Sequence, residues 1–262
     1  MRECIDMLGR GVRVPHRVSR IVSLVPSQTD LLYHWLPADT IVGQTLFCVN
    51  PERQWAIDKS VGGTKKVHLD KIRQLQPDLI IANKEENDKE QIEALAQEFP
   101  VWVSDIKTLD DFATFATQIA DVLHIPQKAA DFLQKLQNAK QSWPDFEGAT
   151  CMYLIWKDPY MAAGKGTFID NMLGELNLKN VVQEPRYPSL DEWKALPETP
   201  DIIMLSSEPY PFKQEHIEAL EEQFPSAWVC LVDGEPFSWY GPPLLRLADT
   251  AKRLKAELDG AA

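Results

Sequence analysis

Pro126-Gln127-Lys128-Ala129-Ala130-Asp131-Phe132-Leu133-Gln134-Lys135-Leu136-Gln137-Asn138-Ala139-Lys140-Gln141-Ser142-Trp143 is a well-bounded amphipathic stretch near the middle of the chain. Ala129, Phe132, Leu133, Leu136, Ala139 and Trp143 recur at the i, i+3, i+4, i+7 spacing of one helix face, while Gln127, Lys128, Asp131, Gln134, Lys135 and Lys140 fill the other. Pro126 suits a first helical position, where its missing N–H is not needed, and Pro144 stops the helix at Trp143. The spacing predicts one helix over 126–143, roughly 27 Å long at about 1.5 Å per residue. That is long enough to join two lobes.

What flanks this helix is a phrase used twice. Pro77-Asp78-Leu79-Ile80-Ile81-Ala82-Asn83 is followed by a polar helical stretch and then Phe99-Pro100-Val101-Trp102-Val103-Ser104-Asp105. Pro200-Asp201-Ile202-Ile203-Met204-Leu205-Ser206 is followed by a second polar helix, then Phe224-Pro225 and Trp228-Val229-Cys230-Leu231-Val232-Asp233. Each copy has the pattern of a buried strand, a crossover helix and a second buried strand, the parallel βαβ unit. The repeat predicts an α/β protein of two lobes, each with a mostly parallel sheet flanked by helices, joined by one long helix. The expected boundaries are residues 1–125, 126–143 and 144–262.

A chain of 262 residues, 44% of them hydrophobic, can bury cores of this size. The net charge of −12 and the lack of a basic patch argue against nucleic acid or an anionic membrane surface as partner. No apolar run approaches the roughly 18 residues of a membrane span. Met1-Arg2-Glu3-Cys4-Ile5-Asp6 has no apolar core of a signal peptide, so cytoplasmic residence is the first expectation. Cys4, Cys48, Cys151 and Cys230 are widely spaced, which fits reduced, mostly buried thiols. His16, His34, His68, His124 and His216 are scattered and form no metal-ligand spacing, and no bound metal or cofactor is expected.

In chain order, Leu8-Gly9-Arg10-Gly11 marks a hairpin, and Ile21-Val22-Ser23-Leu24-Val25 a buried strand. Pro26-Ser27-Gln28-Thr29-Asp30 leads into a helix, with Ser27 or Thr29 as its cap; a strand, a turn and a helix N-terminus make a site for a ligand's negative group. Ile41-Val42-Gly43 is a short strand, followed by the aromatic-bearing loop Phe47-Cys48-Val49-Asn50-Pro51. Val61-Gly62-Gly63-Thr64-Lys65-Lys66 lacks the phosphate-loop spacing and is a turn. Asn83 and Lys84 stand at the carboxyl end of a strand, where open α/β sheets place ligands. Later, Gly164-Lys165-Gly166 precedes a helix near Ile169, where Lys165 either holds a ligand carboxylate or makes the turn. Glu208-Pro209-Tyr210-Pro211-Phe212 and Phe237-Ser238-Trp239-Tyr240-Gly241 put aromatic side chains in loops after strands, and a last helix over about 243–258 closes the second half. Aligned on the Pro-Asp strands, Asp70 and Asp191 are counterparts: each follows a leucine and opens a short helix. One acid per lobe suits either the helix dipole or docking onto a two-fold partner.

Ile21 to Leu32, Gln76-Pro77-Asp78-Leu79-Ile80-Ile81, the single linker helix and Gly164-Lys165 resemble the class III, helical-backbone substrate-binding proteins of ABC importers, which carry cobalamin, haem and iron-siderophores. The resemblance runs over residues 20–260. It implies two α/β lobes on a rigid helix with ligand held between them, a periplasmic location as the alternative to the cytoplasm, and docking of Asp70 and Asp191 on a permease. It also places an aromatic of the cobalamin binders on Phe47, and others near Thr64 and Tyr187. The expected ligand-binding set is Ser27, Gln28, Phe47, Asn83, Lys84, Trp156, Lys165, Tyr187, Trp239 and Tyr240, with Trp239 and Tyr240 as the stacking surface. The function expected is a monomeric solute-binding protein, not an enzyme, for a large metal chelate. The alternative is a cytosolic enzyme or chaperone that handles tetrapyrroles on the same fold; no Ser-His-Asp or Cys-His arrangement, phosphate loop or dinucleotide fingerprint supports it.

Overall fold

In the computed structural model, which describes residues 1–51, 57–190 and 196–261, the glycine-flanked start folds as a hairpin of Arg2–Ile5 (β1) and Gly11–Val14 (β2). Asp6 holds its turn. The buried carboxylate accepts the N–H groups of Leu8, Arg10 and Val103 and pairs with the Arg10 guanidinium at 2.7 Å. That ties the hairpin to the edge of the sheet that follows.

The sheet is built from Ile21–Ser23 (β3), Ile41–Gln44 (β4), Leu79–Asn83 (β5) and Val101–Ser104 (β6), in the order β4-β3-β5-β6 and parallel throughout. Parallel neighbours need crossovers, and Pro26–Trp35 (α1), Leu69–Leu75 (α2) and Lys89–Ala96 (α3) supply them. Val22, Leu24, Ile72, Ile80, Ala82, Ile92 and Leu95 meet in a buried core beside this sheet. The cap expected at Ser27 or Thr29 is corrected: the helix begins earlier, at Pro26, with Val25 at the cap position and no side-chain cap. Proline's fixed φ starts the helix there, and Thr29 Oγ1, already inside it, bonds the Val25 carbonyl and Ser23 Oγ.

The second sheet takes Thr150–Trp156 (β7), Met161–Ala162 (β8), Lys179–Asn180 (β9), Ile202–Ser206 (β10) and Trp228–Val232 (β11), in the order β11-β10-β7-β8, with β9 also on β7. Only β8 runs antiparallel. Two Pro-Asp phrases thus become β5 and β10, buried at every position, and their acids have matching work. Asp78 Oδ2 accepts Ser19 N–H, Ser19 Oγ and Arg20 N–H at 2.8, 2.9 and 3.0 Å. Asp201 Oδ2 accepts Thr150 N–H and Oγ1 at 2.8 and 2.7 Å. Each fixes the start of the neighbouring parallel strand.

The central helix is shorter than its stripe. After Leu109–Val122 (α4), the helix Pro126–Lys140 (α5) spans about 22 Å, and Ser142 and Trp143 N–H turn back to Ala139 and Lys140 carbonyls. The residue before a proline is pushed out of the helical region, so Pro144 unwinds the last turn rather than merely ending it. The chain divides into two compact units, Met1–Ile106 with Asp110–Gln134 and Lys107–Leu109 with Lys135–Ala262. The division falls inside α5. In the first unit Phe132 packs edge-on against Phe112 and Trp35; in the second, Lys140 pairs with Glu175 at 2.5 Å. The second unit is completed by Phe168–Glu175 (α6), Gln214–Gln223 (α7), Glu235–Ser238 (α8) and Leu247–Ala261 (α9). The last helix starts later than expected because Pro242 and Pro243 make a 3-10 turn first. Cys48, Cys151 and Cys230 are buried, Cys4 is part-exposed, and all are free thiols.

Candidate functional site

The carboxyl ends of parallel strands collect loops and helix N-termini, so each unit has one face where a ligand meets backbone dipoles and variable side chains. In the first unit this face begins with the loop after β4. Phe47 is 59% exposed beside Leu46 and Val49, also exposed. The Phe47 ring lies over Gly63, where an added Cβ would come within 3.4 Å of it. Exposed apolar groups grouped on a loop mark a contact surface.

Behind that loop the face is polar, and its amides are cross-linked. Gln28 is fully buried and donates through Nε2 to Ser104 Oγ. Asn83 Nδ2 donates to the same oxygen at 3.0 Å, and its Oδ1 accepts the N–H groups of Glu85 and Glu86. Asn87 ties Asn83 N–H to the carbonyls of Leu24 and Thr64. Gln28 and Asn83 thus join the strand ends to one another through Ser104. Ser27 is buried next to Gln28. Lys84 reaches Asp105 at 2.6 Å, so its charge is neutralised across the ends of β5 and β6.

In the second unit Trp156, the last residue of β7, is 41% exposed. Its ring meets Tyr210 edge-on at 5.7 Å. Tyr210 and Glu208 stand on the loop after β10, and burial pushes the Glu208 carboxyl up to about 7; Ser238 Oγ donates to it at 2.8 Å and works in the opposite direction, and Glu235 raises it further. Trp239 is part-buried beside this acid and hydrogen-bonds it. Tyr240 is 6% exposed and packs edge-on against Phe168, inside its unit. Leu46, Val49, Glu208 and Tyr210 were not picked individually from the sequence. The aromatic loop after the Pro-Asp strand was the available signal for Tyr210; exposure of Leu46 and Val49 has no sequence signal.

Lys165 does not join Trp156. The chain reverses at β8, so Ala163 N–H bonds the Tyr153 carbonyl and Lys165 runs on toward the amino end of β7. There it pairs with Asp170 at 3.1 Å, which also accepts Asn180 Nδ2. These groups line an open groove of about 800 Å³ with Asn171, Gln183 and Glu198. Gly164 is required by the close approach of the Glu184 carbonyl, 2.0 Å from an added Cβ, and Gly166 takes φ +76°. The glycine-bracketed lysine makes the turn. Tyr187, part-exposed, stands on the extended segment hydrogen-bonded along β8 through the Pro188 and Arg186 carbonyls.

Of the two candidate docking acids, Asp70 has a side chain 90% exposed on α2, but Arg73 holds it at 2.8 Å while also gripping Glu98. Asp191 lies outside the described residues. Among the described residues no group of three or more His, Cys, Asp or Glu side chains is placed to hold a metal ion, and no helix is long and apolar enough to cross a membrane.

The family model described as periplasmic binding protein matches residues 21–223. A vitamin B12-binding protein of Vibrio cholerae serotype O1 is 26% identical over 200 residues, covering 73% of this chain and 72% of that protein. The solved structure of the periplasmic vitamin B12 binding protein BtuF of Vibrio cholerae is similar with a TM-score of 0.74 at 22% identity, covering 92% of this chain and 98% of the other. The periplasmic heme-binding protein RhuT from Roseiflexus sp. RS-1 gives a TM-score of 0.74 at 17% identity, covering 93% and 99%. At these identities the structures establish the fold. The expectation of cytoplasmic residence is overturned, because the matching family and these neighbours are periplasmic. That expectation rested on residues that fold as β1, and these say nothing of compartment.

Proposed function

The chain belongs to the periplasmic binding protein family, and from that premise we propose that it captures a large metal chelate of the cobalamin or haem class and passes it to an ABC importer. The observation that carries this reading is the pair of apolar surfaces at strand carboxyl ends: Leu46, Phe47 and Val49 in one unit, and Trp156 in the other. Flat conjugated rings bury large area against aromatic and aliphatic walls and need few polar contacts to be oriented. The protein is a binder with no catalytic role of its own, and it works as a monomer. The relatives named for vitamin B12 and haem support the same ligand class; a cytosolic tetrapyrrole enzyme has no matching feature.

A thermal-shift panel tests the proposal. Cyanocobalamin, haem, a ferric siderophore and molybdate are each added to the purified protein. A ligand bound only by the folded chain stabilises it by RT ln(1 + [L]/Kd), about 2.7 kcal/mol at a hundredfold excess over Kd. One of the three chelates is expected to raise the midpoint with molybdate inert. A rise with molybdate alone would replace the chelate by an oxyanion.

A further inference from the structure

Behind Trp156 lies a set of rings at the margin of the second unit's core, where Phe212 is buried and Tyr210 packs against that core. Tyr210 stands 4.8 Å from Phe212 and 5.5 Å from His216, both edge-on, and its phenol oxygen is 3.2 Å from His216 Nε2. His216, 3% exposed in the first turn of α7, accepts the Lys213 N–H on Nδ1 at 2.8 Å. Nδ1 also lies 3.2 Å from the Lys213 carbonyl, so this nitrogen faces the Lys213 backbone while Nε2 faces the Tyr210 phenol. The Glu215 carboxylate lies 4.0 Å from this imidazole. Both ring nitrogens of a buried histidine are therefore used to tether one loop, and the residue so fixed, Tyr210, props the edge of the half-exposed Trp156.

We infer that Trp156 and Tyr210 form a stacking shelf for a planar conjugated macrocycle, and that His216 is the positioning residue that holds the shelf in its binding orientation. The inference rests on the reading of this face as ligand-binding and adds two residues to it. The cluster leaves Trp156 41% exposed at its outer edge, in edge-on contact with Tyr210. Support of this kind removes the ordering cost that a mobile tryptophan would meet on stacking. His216 touches no ligand in this account.

Two readouts on the full chain test it. Without ligand, the Trp156 indole N–H resonance, assigned with Trp156→Phe, is followed in Tyr210→Leu, His216→Ala and Tyr210→Phe. The first two should shift it clearly, and Tyr210→Phe, which keeps the ring but removes the hydroxyl that His216 holds, should shift it in the same direction as His216→Ala and by less than Tyr210→Leu. With cyanocobalamin and haem as probes, Trp156→Ala should weaken binding about 5- to 150-fold. Tyr210→Leu and His216→Ala should weaken it about 3- to 10-fold, the scale of one aromatic pair. An unmoved indole resonance would overturn the tether. Wild-type binding kept in full by Trp156→Ala or Tyr210→Leu would overturn the shelf alone, whereas failure of the unmodified protein to bind either probe would overturn the reading of the face.

Discussion

Replacing Glu208 by Gln should stabilise the protein, and only above mildly acidic pH. Burial raises this carboxyl from 4.5 to about 7, against the pull of Ser238 and Trp239, and the acids Glu235 and Asp233 push it the same way as burial. Below pH about 4.5 the group is protonated whether the chain is folded or not, so it costs nothing. Between about 4.5 and 7 it ionises in the unfolded chain first and draws the equilibrium toward unfolding; above about 7 the penalty is constant. A shift of this size is worth at most about 3 kcal/mol at 1.36 kcal/mol per unit, and its partial exposure reduces that to roughly 1–2 kcal/mol. Gln keeps the acceptor for Ser238 without the charge. Urea midpoints of both proteins, at constant slope, should coincide near pH 4 and separate to a plateau above pH 7 with the variant more stable. A separation independent of pH, or a variant less stable at pH 8, would show that Glu208 is not held neutral by its surroundings.

Asp6→Asn should cost about 3 kcal/mol, because it leaves Arg10 and three N–H groups facing a carboxamide in a buried turn; a loss under about 1 kcal/mol in denaturant titration would remove that turn from the stabilising contacts. Asp78→Ala and Asp201→Ala should each cost about 1–2 kcal/mol, with Asp78 the larger since it accepts three hydrogen bonds where Asp201 accepts two from Thr150; the reverse order would separate the two clamps. Asp70→Lys should change stability by no more than about 0.5 kcal/mol, the worth of an exposed pair, and leave chelate binding intact, while lowering affinity for the importer in nanodiscs; undiminished affinity would make Asp70 a helix-start acid held by Arg73.

Much of the fold was legible because its strands are covered on both faces. The continuous apolar runs that became β5 and β10 admit few other readings when each is followed by a polar helix and a second run. Boundaries were lost where two rules competed. Ser27 and Thr29 are good caps, but Pro26 sits ahead of them and starts the helix; Trp143 continues the apolar stripe, but Pro144 restricts its backbone. Phe47, in the loop after β4, and Trp156, at the end of β7, are exposed and stay candidates for the ligand face. The place of Lys165 was misread because β8 is two residues long, too short for any periodicity, and its reversal carries the chain to the other end of β7. The mutual hydrogen bonding of Gln28 and Asn83 through Ser104 was not legible, because polar residues at strand ends serve a ligand or each other, and sequence alone does not tell which.

The most direct test is isothermal titration of the unmodified protein with cyanocobalamin and with haem. Saturable one-to-one binding of at least one of them is expected, with a negative heat-capacity change from burial of the chelate's apolar surface. No saturable heat with either chelate, or binding that is unchanged when Phe47 and Trp156 are both replaced by Ala, would contradict it.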